Sequence, residues 1–151
     1  MSGPPDASGR PEVVALSHVA IAVREADPLA TTLVTALGAT RGAEELLDGG
    51  TLRVVFIHLG PVTLELLEPR SADHTVAKFL DARGPGLHHV SLEARDLPAL
   101  LARCRAAGVR LIDETPRSGA HGTEVAFLHP KSFAGVLIEL CRPRPGTPES
   151  S

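Results

Sequence analysis

Aromatic side chains are scarce in this sequence of 151 residues, which has four phenylalanines and neither tryptophan nor tyrosine. The core must therefore be built from leucine, valine, isoleucine and alanine, and aromatic stacking on bases is not available as a way to bind nucleic acid. Lysine and arginine form no stripe, and the formal net charge is −3, which argues against a nucleic-acid partner. A small anionic ligand held by a few charges is compatible with these numbers.

Cysteine is also rare, and long apolar runs are missing. Cys104 and Cys141 match no metal or redox motif, and so low a count is typical of a reducing, cytoplasmic location. We interpret both as small buried apolar residues. No apolar run reaches the roughly 20 residues that a membrane span needs, and the N-terminal segment lacks the apolar region of a signal peptide. We therefore expect a cytoplasmic protein with no membrane partner.

The hydrophobic content of 43% is ample for a globular domain. Proline, glycine and serine are concentrated at both ends of the chain. Residues 1–13 and 143–151 are therefore expected to form a flexible leader and a flexible tail. A single domain is expected over residues 14–142.

The central region contains an internal repeat. The segments "LSHVAIAVREADPLA" (16–30) and "LHHVSLEARDLPALL" (87–101) both run from Leu, one residue, His and Val through alternating apolar positions towards an Ala/Leu-rich stretch. Further along, "VTLELLEP" (62–69) matches "VLIELCRP" (136–143). A repeat of this length indicates that one structural unit is used twice.

The repeat predicts two βαβββ modules, at about 14–70 and 87–142, with a linker helix at 74–83. This is an α+β arrangement with largely antiparallel strands. Period-two alternation and turn residues predict strands, and Ala/Leu-rich stretches predict helices. The predicted strands are 16–23, 39–46, 52–59, 62–68, 87–94, 109–114, 123–128 and 135–141, and the other predicted helices are 26–37 and 97–106.

Four polar residues take equivalent positions in the two modules: His18 matches His89, and Glu65 matches Glu139. If the modules fold alike, two imidazoles and two carboxylates can converge about a pseudo-twofold axis. That donor set suits a divalent cation with open positions for water or substrate. The same alternation also fits glutamates on a solvated outer face. His88 should point away from His89, since successive side chains of a strand alternate.

Specific segments of the chain resemble a known family over residues 16–141. They are "LSHVAIAV", "VTLELLEP", "VAKFLDARGPGLHHV" and "GVRLIDETPRSGAHGTEVAFLHPKSFAGVLIEL", of which "AFLHPKS" followed by "GVLIEL" is the most specific. They resemble the methylmalonyl-CoA epimerase family of the vicinal-oxygen-chelate superfamily, which includes glyoxalase I. The resemblance implies a cupped mixed sheet of two βαβββ modules around a metal, usually in a homodimer, acting on an acyl-CoA thioester.

The resemblance also implies roles for the four equivalent residues. His18, Glu65, His89 and Glu139 would hold a divalent cation, which could be cobalt, manganese, magnesium, nickel or zinc. The implied reaction interconverts the C2 epimers of methylmalonyl-CoA, or of a related 2-substituted malonyl-CoA, through an enolate that the metal stabilises. Glu139 would double as a proton-transfer group.

The chain departs from the family at the second proton-transfer group. The family's glutamate falls on Gly49, and Asp48 is the candidate that could replace it if the Gly49–Gly50 pair lets the loop shift. On the first helix, Thr32 and Leu33 stand where the family has Phe and Tyr. These departures keep two alternatives open: another enzyme of the superfamily, such as a glyoxalase I-like isomerase or lyase, or a non-catalytic protein that binds a small molecule. A fourth metal ligand disfavours an extradiol-type oxygenase.

Three further residues are candidates for substrate binding. Lys131 and Ser132 could hold the carboxylate or thioester of a substrate, or could simply form a solvated turn. His121, flanked by glycine, could approach a ligand closely or lie in a plain surface loop. The remaining histidines are expected to be structural or exposed: His58, His74 and His129.

Overall fold

Eight strands and three helices make up residues 12–143, the part of the chain that this computed structural model describes. The predicted leader and tail lie outside the described residues, apart from residues 12, 13 and 143. The order is βαβββ, one helix, then βαβββ, so the predicted α+β class is confirmed. Within residues 12–143, no helix has the length and apolarity of a membrane span. The elements are β1 (Val13–Ala22), α1 (Ala26–Leu37), β2 (Thr40–Leu47), β3 (Leu52–Leu59), β4 (Val62–Pro69), α2 (Thr75–Arg83), β5 (Gly86–Ala94), α3 (Leu97–Ala106), β6 (Arg117–Ser118), β7 (Thr123–Leu128) and β8 (Ile138–Pro143).

The chain divides into two compact units, one of which is formed by residues 18–90. In this unit the strand order is β2-β3-β4-β1-β5, with β1 parallel to β4 and antiparallel pairing along β2, β3 and β4. Ala26, Ala30 and Leu33 recur at helical spacing along α1 and pack on buried residues of β3 and β4. Burying a side chain such as Leu33 contributes roughly 1.5–3 kcal/mol. The helix ends at Gly38, whose φ of 70° is the left-handed conformation that glycine adopts readily.

The other unit contains the residues that precede and follow 18–90. Its strand order is β5-β8-β7-β6. Leu97, Leu100 and Leu101 of α3 are buried against apolar residues of β7 and β8. The helix begins after Asp96, because the Asp96 carboxylate accepts the backbone N–H of Ala99 at 3.0 Å and so satisfies a donor that the first turn leaves open.

The strand predicted at 109–114 is wrong. Leu111 forms an isolated bridge to β7, and the regular pairing on that side of β7 comes from the two-residue strand β6. The Asp113 side chain interrupts the ladder, because its carboxylate accepts the backbone N–H of Phe127 at 2.8 Å in place of a backbone carbonyl. Pro116, which has no backbone N–H to donate, lies directly before β6.

Strand β2 is irregular around Gly42. Its register with β3 shifts between Arg41 and Glu44, which is the mark of a β-bulge. The His58 ring of β3 lies so close that a Cβ on Gly42 would be 2.7 Å from His58 Nε2. A side chain at position 42 would therefore have to displace the exposed His58 ring.

A charged cluster centred on Arg53 of β3 fastens α1 to the strands. The Arg53 guanidinium lies 2.6 Å from Glu44 of β2, 3.0 Å from Asp27 of α1 and 3.3 Å from Glu68 of β4. Glu68 also accepts the backbone N–H of Ala26 at 2.8 Å, at the start of α1. Hydrogen bonds from Arg53 and then Arg41 lower the pKa of Asp27 to about 2. One arginine thus joins three elements of the 18–90 unit.

Replacing Arg53 by methionine is expected to lower the melting temperature at pH 7 by about 2–4 °C, because three carboxylates lose a shared partner. Since the folded-state pKa of Asp27 is below its ordinary 3.8, the stability that this pairing contributes is complete above about pH 4 and is lost as the pH falls towards 2. Thermal unfolding at pH 7 and pH 2.5 measures both effects. The difference between the wild type and Arg53→Met should shrink at the lower pH, and Arg70→Met, at an exposed position, should change little. An equal difference at both pH values would contradict the proposed coupling.

Candidate metal and proton-transfer site

Three of the four predicted metal ligands meet within the 18–90 unit. His18 of β1 places Nε2 2.6 Å from Glu65 Oε2 of β4. The same nitrogen lies 3.4 Å from Nε2 of His89 on β5. The meeting follows from the fold, because β4 and β5 both neighbour β1 in the strand order.

These side chains are buried, which decides between a buried and a solvated position for the glutamates. Glu65 and Glu139 are each 6% exposed, and His89 is 7% exposed. The alternative of a solvated outer face is therefore wrong for both glutamates. Polar groups are buried at a cost unless they are paired, so a buried group of imidazoles and carboxylates indicates a site rather than ordinary core packing.

Strict alternation predicted that the His88 ring points away from His89, and this prediction is wrong. The Nδ1 atoms of the two rings lie 2.9 Å apart, so one ring donates a hydrogen bond to the other. The His88 ring also packs edge-on against Phe79 of α2, at 4.9 Å between centroids. With the His89 proton on Nδ1, Nε2 keeps its lone pair towards His18.

The fourth predicted ligand, Glu139 of β8, is held by a serine that no sequence motif singles out. Ser91 of β5 is fully buried, and its hydroxyl lies 2.7 Å from Glu139 Oε1 and 3.3 Å from Cys141 Sγ. A hydroxyl has one proton to donate, and the shorter contact to a carboxylate takes it. One oxygen of Glu139 is therefore engaged by Ser91. Cys141 is buried, as predicted, and burial raises the pKa of its thiol, whereas Cys104 is only partly buried.

The imidazoles of the 18–90 unit fit a divalent cation. His18 and His89 each offer a ring nitrogen as a ligand atom. Two nitrogens that bind one ion at about 2.1 Å are about 3.0–3.4 Å apart, which matches the two Nε2 atoms. Burial lowers the pKa of His89 to about 2, with smaller contributions from His88 and His18. The ring is therefore neutral at physiological pH and can donate its lone pair.

Asp48, the candidate for the second proton-transfer group, lies in the turn Asp48–Gly50 between β2 and β3. Its Oδ2 is 2.7 Å from Nε2 of His74, the residue just before α2. The expectation that His74 is structural or exposed therefore misses its contact with Asp48. The helix predicted at 74–83 in fact begins at Thr75, so His74 is its N-cap residue.

The predicted substrate-binding residues lie in turns. Lys131 and Ser132 share a 3-10 turn between β7 and β8, where the Ser132 hydroxyl accepts the backbone N–H of Arg110 at 3.0 Å. Lys131 is exposed, and its backbone N–H is bound by His129 Nδ1. His121 is exposed at φ 54° in the turn between β6 and β7.

A family model described as the Glyoxalase/Bleomycin resistance protein/Dioxygenase superfamily matches residues 17–127. The chain therefore belongs to this superfamily, and the resemblance found in the sequence is confirmed. Within the superfamily, the chain is similar to methylmalonyl-CoA epimerases.

Two relatives and one solved structure illustrate this similarity. The uncharacterised protein YqjC of Bacillus subtilis is 37% identical over 85% of this chain and 92% of its own length. An ethylmalonyl-CoA/methylmalonyl-CoA epimerase of Cereibacter sphaeroides is 39% identical over 83% of this chain and 95% of its own. The crystal structure of methylmalonyl-CoA epimerase from Mycobacterium tuberculosis has a TM-score of 0.83 at 37% identity, covering 89% of this chain and 91% of that one.

Proposed function

We propose that the chain is a divalent-metal-dependent epimerase that interconverts the C2 epimers of methylmalonyl-CoA or a related 2-substituted malonyl-CoA. The observation that carries the proposal is the buried convergence of His18, Glu65 and His89. Glu139, which also offers a ligand atom, is the fourth member of the proposed donor set. Relatives named as epimerases of such thioesters support the proposal.

The chemical problem is the acidity of the C2 hydrogen, which lies between a thioester and a carboxylate. Removing it leaves negative charge on the thioester oxygen, and a bound divalent cation supplies Lewis-acid stabilisation of that charge. His18, Glu65, His89 and Glu139 would hold the cation, one of cobalt, manganese, magnesium, nickel or zinc. The two imidazoles would supply nitrogen donors, while the two carboxylates would offset the charge of the cation.

Inversion at C2 needs a proton acceptor on one face and a donor on the other. Glu139 is assigned to one face, as the family resemblance implies, and the hydroxyl of Ser91 orients its carboxylate at 2.7 Å. Asp48 is assigned to the other, since it is the carboxylate of the turn in which Gly49 replaces the family's glutamate. Lys131, Ser132 and His121 are assigned to the substrate's carboxylate and thioester.

The test is the entry of solvent deuterium at C2. Each epimer of methylmalonyl-CoA is incubated in D₂O with the purified protein, with and without chelator, and followed by NMR. Exchange and epimerisation that stop with chelator and return with added metal are expected. No exchange from either epimer by the metal-loaded protein would overturn the proposal.

The glycine at position 49 favours a second candidate, a glyoxalase I-like isomerase or lyase. Gly49 has φ 67° and cannot move a proton. A substrate panel that adds glutathione hemithioacetals separates the two enzymes. Ligand binding without turnover of any member would favour a small-molecule-binding protein. The homodimer and the cytoplasmic location stay predictions, to be tested by sedimentation and by fractionation.

A further inference from the structure

We infer that Asp48 and His74 work as one proton-transfer pair, in which Asp48 exchanges the proton with substrate C2 and His74 positions the Asp48 carboxylate. The inference rests on the proposed function and adds a residue to it. It is carried by the contact between a turn and a helix start that lie 26 positions apart in the chain.

The turn holds Asp48 in an unusual conformation. Its φ is 53°, in the left-handed region that side chains other than glycine rarely adopt. Thr51 closes the turn on Asp48, donating to its carbonyl oxygen from the hydroxyl at 2.8 Å and from the backbone N–H at 3.3 Å. Arg70 in turn donates its backbone N–H to the carbonyl of Thr51 at 2.7 Å. Strained backbone that is so tightly held is typical of functional positions.

His74 uses both of its ring nitrogens. Nδ1 accepts the backbone N–H of Val76 at 3.1 Å and so caps α2. A nitrogen that accepts carries no proton, so the proton of the neutral ring sits on Nε2 and is donated to Asp48 Oδ2. The His74 side chain is 10% exposed, whereas the Asp48 side chain is 48% exposed. The imidazole is thus fixed, and the carboxylate faces solvent.

The second oxygen of Asp48 is available for chemistry. Among residues 12–143, the Asp48 carboxylate has no side-chain partner other than His74. A carboxylate with one oxygen held by an imidazole and one open oxygen has the arrangement that a positioned base requires.

Helix α2 connects this pair to the metal-ligating imidazoles of the same 18–90 unit. His74 caps the start of α2, and Phe79 of α2 packs against the ring of His88 at 4.9 Å. His88 in turn contacts His89 at 2.9 Å. One short helix therefore fixes His74 relative to a proposed metal ligand. Asp48, the proposed base, needs such a fixed partner if it is to work beside a metal.

The proton balance is simple. The C2–H bond breaks, the proton goes to the open oxygen of Asp48, and the electron pair moves towards the thioester oxygen. A proton from the opposite face then forms the new C2–H bond, and Asp48 returns its proton to solvent. His74 keeps its own proton throughout and stabilises the carboxylate by donating to it.

Two substitutions of His74 separate positioning from helix capping. The side-chain oxygen of His74→Asn replaces Nδ1 and keeps the cap, whereas the amide of His74→Gln reaches to the Nε2 position and keeps the donor to Asp48. Epimerisation should be at least about ten times faster in His74→Gln than in His74→Asn. A merely structural role predicts the reverse order, with His74→Gln less thermally stable and no faster.

The decisive variant is Asp48→Asn, measured in D₂O from each epimer separately. Epimerisation is expected to fall by about 10²–10⁴-fold, while one epimer still exchanges its C2 hydrogen without inverting, because the opposite face still works. Asp73→Asn, which removes an exposed carboxylate nearby, is the charge control, and thermal unfolding checks folding. If Asp48→Asn epimerises as fast as the wild type, the inference fails and the epimerase proposal stands. If the wild type exchanges neither epimer, both fail.

Discussion

The double substitution His18→Ala, His89→Ala is expected to abolish C2 exchange and to weaken divalent-cation binding by more than about 100-fold. The Nε2 atoms of the two imidazoles lie 3.4 Å apart, and burial lowers the pKa of His89 so that its ring is neutral at neutral pH. Removing them takes away both nitrogen donors at once. Competition with a fluorescent chelator measures cation affinity, and deuterium exchange measures turnover.

His58→Ala is the matched control, since it removes an exposed imidazole from β3. Its cation affinity should equal that of the wild type. Cation binding and turnover that survive in the double variant would show that the histidines do not hold the metal. Survival of small-molecule binding without metal or turnover would instead identify a binding protein.

The second large effect is expected at Glu139. Replacing it by glutamine keeps the size of the side chain but removes a charged ligand and a proton-transfer group, so kcat should fall by about 10³-fold. Ser91→Ala should have a graded effect, lowering cation affinity by about 10-fold, because Glu139 Oε1 loses the hydroxyl at 2.7 Å that orients it. Titration with cobalt, read by its absorption spectrum, follows the coordination directly.

Ser91→Ala and Glu139→Gln differ in whether the carboxylate at position 139 is retained. The alanine variant keeps the carboxylate, so its kcat at saturating metal should recover towards that of the wild type. The glutamine variant should not recover at any metal concentration. Recovery of Glu139→Gln with excess metal would remove the proton-transfer role and leave only ligation.

Repetition made the candidate metal ligands identifiable in the sequence. Equivalent positions in a duplicated unit take equivalent places in the fold, so position alone pairs His18 with His89 and Glu65 with Glu139. Repetition does not show whether a glutamate lies on the buried or the solvated face of its strand, because the apolar/polar alternation is the same in both cases. The burial of Glu65 and Glu139 decides it.

Contacts between residues that meet only through the tertiary fold were not predictable in this way, although Asp48 itself was a candidate from the resemblance. His74 and Asp48 lie on a helix start and a strand turn, and no periodic pattern links them. Ser91 has no distinguishing pattern, since serine is ordinary on a half-buried strand. The predicted strand at 109–114 failed because the side chain of Asp113 competes with the backbone for hydrogen bonds, which apolar alternation does not report.

The bulge in β2 restricts how the chain can diverge. Because a Cβ at position 42 would lie 2.7 Å from the end of the His58 ring, the two positions share one small volume. Substitutions at the two positions should therefore be correlated among homologous sequences. A residue larger than glycine at 42 should be accompanied by a residue shorter than histidine at 58.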